Sequence, residues 1–587
     1  MVLGKTGRVC RRQLLAPTFF KLGLFFLYYN CMLTRFLLLS ILFIYFSFIQ
    51  DLDYFDIDSL SNNDLYYVEL NNIGDPILLL SPLEEEKNFI LHHYSEKVRK
   101  IDIWNTFDIN KTDSIYSNIN YQGTYQDGGK IEAFLSRPVG PNMNFNFIYN
   151  NLSSVGYYTN QHNKYSLIYL DLNYLNQNKP YSFYFSLFSR NGDYQQNGGI
   201  QENAFNQSPE LLPVYLDYAT TIVKNRELKF SHNYIMKSDL KLRHSVIINF
   251  FNRLYEDENP VSFHYSLTPF NVSSSSNYQY ENFLNRTLNS ISLYNHKFNF
   301  IINHAYYNTD NIDINKVGDI DLLFSVNKIL TSDSKLEFKL GFCPIGYNQN
   351  NYIFNFNLHK TIKQTHNILS LLIKSKKPHF LNHYHDDLFS FDWNSLRSIK
   401  TIDLNLLSSF IKRKIYISTS IKRYSNYFFF NQLVFPEQIK DNIIYINFKV
   451  DKIWNWNHVF IKSTFLMQQS NNTILSVPLC LLSQNIKYKT QLFGKFDLVN
   501  SLSISVFSKY YMNSYFPLTD VFYLQNEEKT GMFPLISAST SINQDRFSVG
   551  FMLDNMYQLI DNNKYLVKDY FLPPTSMRFF IKWGFLN

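Results

Sequence analysis

The residues best suited to chemistry form a short cluster of imidazoles and carboxylates: His379, His383, His385, Asp386 and Asp387. Imidazole nitrogens and carboxylate oxygens are both common metal ligands. The spacing of the cluster meets no recognised ligand motif, and His383 and His385 would share a face only in an extended segment. We therefore expect a solvated loop here, with no metal site and no cofactor.

The stretch from Asp310 to Asp321 superficially resembles a calcium-binding loop. Gly318 is misplaced for such a loop, and no bidentate Glu closes it, so we interpret the stretch as a turn between strands. Phosphate-binding, zincin and nucleophile-elbow motifs do not occur in the sequence. Catalysis has no candidate residues, and we expect a protein that is not an enzyme.

Aromatic residues dominate the composition. The chain of 587 residues contains 54 Phe, 44 Tyr and 5 Trp, which together make up 18% of the sequence. A disordered chain lacks this much apolar area. A net charge of +7 with only 18% charged residues does not indicate a nucleic-acid binder. The chain must therefore bury a large aromatic surface or expose it to lipid.

An uncharged apolar run extends from Phe36 to Ile49. It is shorter than the roughly 20 residues that a membrane-spanning helix needs, and it fits the apolar region of a signal peptide. We expect a leader over residues 1–50, with translation starting at Met32 and a signal peptide at 32–50. A real N-terminal anchor, built from this run and the apolar patch Leu22 to Tyr29, is the alternative.

Alternation with a period of two recurs through the rest of the chain. In Asn142 to Asn150 the apolar Met143, Phe145, Phe147 and Tyr149 would share one face of a strand, with asparagines on the other. The same pattern predicts strands in these further segments: 181–187, 241–250, 297–303, 336–342, 352–358, 444–451, 501–506 and 547–553. The predicted fold class is therefore all-β.

Two architectures accommodate so many two-faced strands. A soluble β-sandwich or propeller packs the apolar faces inward, whereas a transmembrane barrel turns them toward lipid and encloses water. Phe and Tyr on one face, opposite Asn, Ser and Lys in mid-strand, favour the transmembrane antiparallel β-barrel. At roughly 55–65 residues for each pair of strands, residues 111–587 would hold about 16 strands, with 14–18 allowed. Residues 51–110 would then form a short periplasmic segment, a candidate plug.

Several stretches resemble the putative porins of Bacteroidota outer membranes. Leu70 to Pro76 (LNNIGDP) is similar to the N-terminal signature of that family, with Asn71 in place of its first Gly. Asn142 to Thr159, Arg190 to Ile200 and Pro573 to Phe585 resemble its first hairpins, its NGGI loop and its closing strand. The resemblance implies an outer-membrane barrel in a Gram-negative bacterium that passes solutes.

The C-terminal strand carries one apolar row: Phe579, Ile581, Trp583 and Phe585. An amphipathic last strand of this kind is what the barrel-assembly machinery of the outer membrane recognises, so we expect that machinery as a partner. Outer-membrane lipid and lipopolysaccharide are the other expected partners. A homo-oligomer is compatible with the sequence, and nucleic acid is not an expected partner.

Polar side chains on the opposite strand faces would line the lumen. The predicted pore-lining residues are Asn144, Asn146, Lys229, Lys241, Arg243, Lys297 and Lys449. An excess of cations there would favour anions by their field. The alternative is that these cations only pair with carboxylates or extend toward water at strand ends.

The function predicted from the sequence is passive diffusion of small hydrophilic solutes through an outer-membrane porin. A non-conducting barrel with a structural or secretion-associated role is one alternative, with its lumen closed by residues 51–110. A secreted soluble all-β binding or glycan-processing protein is the other. The solute, the pore radius and the oligomeric state have no sequence signal.

Overall fold

The computed structural model describes residues 67–80, 115–176, 179–201, 208–236, 239–260, 277–309, 318–378, 396–561 and 564–586. All of them belong to one compact unit, Asn62–Asn587. The predicted leader, residues 310–317 of the stretch interpreted as a turn and the cluster from His379 to Asp387 lie outside the described residues. No helix in the described ranges is long and apolar enough to cross a membrane.

The described chain is almost entirely β-structure, with short 3-10 turns at Pro209–Leu211, Ile411–Arg413 and Met556–Leu559. The strands are β1 (Tyr67–Glu69), β2 (Ile77–Leu79), β3 (Tyr116–Gly123), β4 (Gly128–Gly140), β5 (Met143–Ser154), β6 (Asn163–Leu175), β7 (Tyr181–Gln196), β8 (Ala219–Ile235), β9 (Lys241–Asp257), β10 (Tyr278–Tyr294), β11 (Phe298–Thr309), β12 (Gly318–Thr331), β13 (Ser334–Ile345), β14 (Tyr352–Ile362), β15 (Thr365–Lys376), β16 (Ile399–Phe410), β17 (Ile415–Ser425), β18 (Phe428–Phe430), β19 (Pro436–Gln438), β20 (Ile443–Trp456), β21 (Val459–Ser470), β22 (Cys480–Leu492), β23 (Phe496–Phe507), β24 (Tyr510–Tyr511), β25 (Ser514–Phe516), β26 (Val521–Tyr523), β27 (Lys529–Thr530), β28 (Pro534–Gln544), β29 (Phe547–Asp554), β30 (Tyr565–Val567), β31 (Tyr570–Phe571) and β32 (Ser576–Leu586).

The long strands close into one antiparallel barrel of 22 strands. Consecutive strands pair along the chain, and β3 closes the ring by pairing with β32, Tyr116 opposite Leu586. The prediction of a barrel is confirmed, and the prediction of about 16 strands is wrong. The hairpins are tighter than assumed, since turns such as 363–364 and 457–458 have two residues and several loops at the other end are also short.

The two ends of the barrel differ in their connections. At one end, which we call the turn end, strands are joined by short turns such as 141–142, 295–297 and 545–546. At the other, the loop end, the connections include 197–218, 426–442, 508–533 and 555–575. In outer-membrane barrels the short turns face the periplasm and the long loops face outward.

The outward face of the wall is apolar and exposed. Phe250, Ile446 and Phe551 have 52%, 47% and 47% of their surface accessible, while neighbours of opposite parity such as Asn249 and Asn447 point into the barrel. The rows of Phe and Ile therefore do not pack into a dry core between two sheets. This arrangement fits an outer-membrane barrel whose belt contacts acyl chains, and it excludes the soluble sandwich.

Adjacent residues on β16 give a direct test of which face meets lipid. Leu404 lies on the outward face and is 43% exposed, whereas Asn405 has the opposite parity and is half-buried. An arginine on the lipid face costs roughly 2–4 kcal/mol near the bilayer midplane. We expect Leu404→Arg to lower the yield of the folded, heat-modifiable barrel in membranes, measured by gel mobility, while Asn405→Arg folds normally. Equal yields of the two variants would contradict the assignment.

Candidate functional site in the lumen

The inward side chains are exposed to solvent near the turn end of the barrel and buried toward the loop end. On β9 the inward residues near the turn end include Lys241, half-buried, and Arg243, exposed. Further along the same face Asn249, Arg253 and Asp257 are 1–5% exposed. A barrel of this width is too wide for wall side chains to bury one another, so other parts of the chain must cover the loop half of the wall. Among the described residues nothing covers the wall at the turn end, and we call this part of the lumen the vestibule.

Loops from distant parts of the ring meet across the loop end. Leu216, which precedes β8, and Tyr255 of β9 pack in one buried apolar cluster with Phe430 of β18 and Leu518 of the 508–533 loop. The β17–β20 and β23–β28 connections start on the far side of the ring from β8 and β9. Contacts of this kind are possible only if the loops extend over the lumen. We call this set of packed loops the mouth cap.

Arg253 ties the mouth cap to the wall. Its guanidinium Nη1 donates to the carbonyl oxygen of Leu518 at 2.8 Å, and Nη2 donates to that of Pro517 at 2.7 Å. The carboxylate of Asp520 lies 3.9 Å from its Nε. Arg253 belongs to β9 and is 5% exposed. Its buried charge therefore holds the loop between β23 and β28, which starts on the far side of the ring.

The segment 67–80 forms a second closing element, which we call the N-terminal hairpin. Its strands β1 and β2 flank the turn Leu70 to Pro76, the stretch that resembles a family signature. Asp75 organises this turn, because its Oδ2 accepts hydrogen bonds from the backbone N–H groups of Asn71 and Asn72 at 3.2 and 2.7 Å. Gly74 has a φ of +93°, a conformation that glycine adopts without strain.

The turn of the N-terminal hairpin docks against the β5–β6 connection. The Asn72 amide donates to the carbonyl oxygens of Ser154 at 3.0 Å and Gln161 at 2.6 Å, and the Ser154 hydroxyl donates to Asn72 Oδ1 at 2.6 Å. The side chain of Gln161 also donates to that of Asn71. Asn72 is 1% exposed, so these bonds form away from water and are costly to break without replacement.

Two further side chains fix the hairpin at opposite places on the wall. Asn163 of β6 donates to Ile73 O at 3.1 Å and to Asp75 Oδ1 at 2.7 Å. Gln468 of β21 donates to Leu80 O at 2.7 Å. Because β6 and β21 are well separated around the ring, the hairpin spans the inside of the mouth.

Apolar contacts join the hairpin to the mouth cap. Leu70 and Leu78 pack with Tyr515, Val567 and Tyr570 of the long loops in one buried cluster. Burial raises the pKa of the Tyr570 phenol well above its ordinary value, so this ring stays neutral. The contacts that Tyr570 makes in this cluster therefore do not change with pH in the physiological range.

The predicted pore-lining residues on β5, β8 and β9 all have the parity of the inner wall. Asn144 is partly exposed, and Asn146 is buried and donates to Asp171 Oδ1 at 2.8 Å. Lys229 lies over the ring of Tyr184, 5.4 Å from its centroid. Lys241 and Arg243 lie at the turn end of β9, where the lumen is wet, and neither forms an ion pair within the described part of the chain.

Two other predicted cations do not contribute as expected. Lys297 is exposed in the 295–297 turn, not on the wall of the lumen. Lys449 faces inward, but its ammonium lies 3.2 Å from the carboxylate of Asp451 on the same strand face. Its charge is therefore largely neutralised.

Ion pairs of this kind recur around the inner wall. Pairs between inward residues include Lys130–Glu132, Arg286–Glu227, Lys335–Glu337, Lys422–Asp403, Lys489–Asp497 and Arg578–Asp554. The wall is consequently less cationic than a count of its lysines indicates. Among the described residues, no group of three or more His, Cys, Asp or Glu could hold a metal ion.

Sequence reasoning missed the residues that close the mouth, namely Arg253, Gln161, Asn163 and Gln468. Asn72 bonds to partners 82 and 89 residues away, and Arg253 to partners 264 and 265 residues away, so no local pattern marks either residue. The one available signal was the stretch Leu70 to Pro76. It resembles a family signature although it lies outside the barrel strands, which indicates a structural role of its own.

The last strand lies as its pattern predicts. Phe579, Ile581, Trp583 and Phe585 have outward parity in β32, with Trp583 51% and Phe585 36% exposed. Phe579 pairs with Phe551 and Trp583 with Phe547 across β29, in aromatic contacts at the outer surface. The row thus belongs to the belt that meets lipid.

The fold is shared with large outer-membrane receptors and transporters. The siderophore receptor PirA of Acinetobacter baumannii aligns with a TM-score of 0.58 at 8% identity, covering 81% of each chain. The ferric preacinetobactin receptor BauA of the same species aligns at 0.57 and 11%, covering 81% of this chain and 80% of its own. The copper transporter OprC aligns at 0.58 and 8%, with the same coverages as BauA. At these identities the likeness concerns the fold alone.

Sequence comparison adds one match. A family described as "Putative porin" matches residues 49–587, which is nearly the whole chain after the predicted leader. A comparison with curated protein sequences found no match.

Proposed function

Because this chain belongs to the putative porin family, we propose that it is a gated outer-membrane channel for small hydrophilic solutes. Solutes would pass down their concentration gradients, with no chemistry and no cofactor. The channel would be shut at rest and would open when the N-terminal hairpin and the mouth cap move.

One observation carries this proposal: the inner wall is polar and wet toward the turn end but buried toward the loop end. A barrel that only inserts into the membrane does not require a solvent-exposed polar lumen. Arg243, Lys241 and Asn144 line such a lumen, which suits the passage of hydrophilic solutes. The closure is non-covalent, through hydrogen bonds such as those of Asn72 and Asn163, and such contacts can release. Passive diffusion of small hydrophilic solutes, the function expected from the sequence, would then occur only while this mouth is open.

Planar bilayers test the proposal. The purified full-length protein should show rare, discrete openings, because a latch of several hydrogen bonds leaves only a small open population at equilibrium. Asn72→Ala removes three of these bonds and should raise the open probability at least tenfold, because even about 0.5 kcal/mol for each bond sums to roughly 1.5 kcal/mol. Asn144→Ala, a lumen asparagine far from the mouth, is the matched control and should leave the open probability unchanged. Silence of every variant would contradict a channel.

The closed mouth also favours a second candidate, a non-conducting barrel with a structural or secretion-associated role. In that case the hairpin would be a permanent part of the fold. Liposome swelling with sugars of graded size separates the two candidates: size-dependent swelling of Asn72→Ala liposomes supports the channel, and no swelling with any sugar supports the non-conducting barrel.

The cellular setting follows from the same proposal. The turn end would face the periplasm and the mouth cap the exterior of a Gram-negative cell, with the belt in contact with phospholipid and lipopolysaccharide. Export would use the signal peptide predicted at 32–50, and the barrel-assembly machinery would recognise the row ending at Phe585. Association into a homo-oligomer is open to test by mass measurement in detergent.

A further inference from the structure

Arg243 lies at the centre of a fixed polar cluster on the wet part of the wall. Its Nε donates to Asn233 Oδ1 at 2.6 Å, and its Nη2 donates to the Tyr294 hydroxyl at 3.1 Å. The guanidinium carbon lies 4.9 Å from the centroid of the Tyr294 ring. Asn233 is held in turn by a hydrogen bond to Ser182 Oγ at 3.2 Å. The guanidinium is therefore oriented by three strands.

Both acceptors of Arg243 are neutral, and no carboxylate in the described part of the chain forms an ion pair with its guanidinium. A guanidinium has five N–H donors. The hydrogen bonds of Arg243 to Asn233 and Tyr294 use two of them. Most other inward cations differ in this respect, since Lys130, Lys335 and Lys489 each lie within 3 Å of a carboxylate. The side chain of Arg243 is exposed on the inner face, so a solute in the vestibule can reach it.

Two more cations share this part of the wall. Lys241 lies two residues away on the same face of β9, and Lys229 lies on the inner face of the adjacent β8. No ion pair of either lysine occurs in the described ranges. The inward neighbours of Arg243, Ser182, Ser231 and Ser292, add hydroxyl groups. An inward carboxylate on β8, Glu227, lies two residues beyond Lys229 and is shared with the guanidinium of Arg286 at 3.9 Å.

We infer that this cluster is a binding site for the oxyanion group of a small solute, a phosphate, sulfate or carboxylate. A preoriented guanidinium fork matches the geometry of two oxyanion oxygens, and the two lysines add field without fixing geometry. The inference names the solute class of the proposed channel and so rests on the proposed function. Lipid headgroups are excluded as the source, because the site is on the inner wall.

Titration calorimetry of the full-length protein in detergent, at fixed ionic strength, tests the inference with inorganic phosphate as the probe. We expect saturable binding that Arg243→Gln weakens by about tenfold or more, because charge-assisted bidentate bonds are the strong ones. Arg243→Lys should fall between the two, since it keeps the charge and loses the fork. Arg137→Gln removes an exposed arginine of outward parity on β4 and should bind as the wild type does.

Absence of saturable phosphate binding by the wild type would overturn the inference, as would equal losses in Arg243→Gln and Arg137→Gln. Heat-modifiable gel mobility verifies that each variant is folded before titration. Since binding is measured without a membrane, a barrel that never conducts would still bind phosphate. Failure of the proposed function is thereby distinguishable from failure of the binding site.

Discussion

The double variant Gly74→Cys with Asn163→Cys should be shut when oxidised and open when reduced. A β-carbon built on Gly74 lies 3.7 Å from Cβ of Asn163, close to the mean separation of about 3.8 Å in disulfides. The bridge would fasten the N-terminal hairpin to β6 inside the mouth. Conductance in planar bilayers, before and after addition of dithiothreitol, is the measurement.

The reduced variant should open more often than the wild type. Replacing Asn163 removes its hydrogen bonds to Ile73 O and to the carboxylate of Asp75. The Gly74 position adds strain, since its φ is +93° and the new Cβ would lie 2.9 Å from Cδ2 of Leu152. A combined loss of roughly 2 kcal/mol corresponds to about a 30-fold larger open population.

The single variant Asn163→Cys is the control. It shares the lost hydrogen bonds but cannot form the bridge, and the native Cys343 and Cys480 are free on other strands. It should therefore be open in both redox states. If the double variant conducts equally whether oxidised or reduced, the hairpin does not gate the lumen.

The barrel itself was predictable because its signal is local. In β5 the outward positions from Met143 to Tyr149 are all apolar. The inward positions between them are Asn, except for Ile148, and each residue lies on the face that its parity assigns. The nine segments with clear alternation all form strands. In a membrane barrel the apolar face of each strand must contact lipid. Alternation with a period of two therefore predicts both the strand and the direction in which each of its side chains points.

The number of strands was not predictable from the same signal. In β15 the inward Ile368 and Leu372 are apolar like the outward Leu369, Leu371 and Ile373, so the two faces read alike. Alternation is poorest in the stretch 360–440, so strands of this kind cannot be recognised there from the sequence. The arithmetic of residues per hairpin then failed because it assumed long loops.

The charge of the lumen was partly predictable from parity. Lys449 and Asp451 are two residues apart and so share a strand face, and their ion pair could have been anticipated. Lys335 with Glu337 repeats this spacing. The fixing of Arg243 by Asn233 and Tyr294 depends instead on the registers of β8, β9 and β10, which composition does not supply.

Replacing Arg253 with methionine should release the 508–533 loop from the wall. The buried carbonyl groups of Pro517 and Leu518 would lose their donors, and a hydrogen bond to a charged group is worth roughly 1.5–3 kcal/mol. A loss of about 3 kcal/mol would raise the detached population roughly 100-fold. Trypsin cleavage after Lys509 or Lys529 of the reconstituted protein, followed by mass spectrometry, reports that population.

The loop would detach without unfolding the barrel, because the ladder of β9 with β8 and β10 does not depend on the Arg253 side chain. Arg243→Met is the matched control, since it makes the same change on the same strand face at the turn end, away from the mouth cap. Cleavage of Arg253→Met at the wild-type rate would mean that apolar packing around Leu518 and Phe430 holds the loop alone. Faster cleavage only in Arg253→Met would assign the closure to a buried charge anchoring a loop from the far side of the ring.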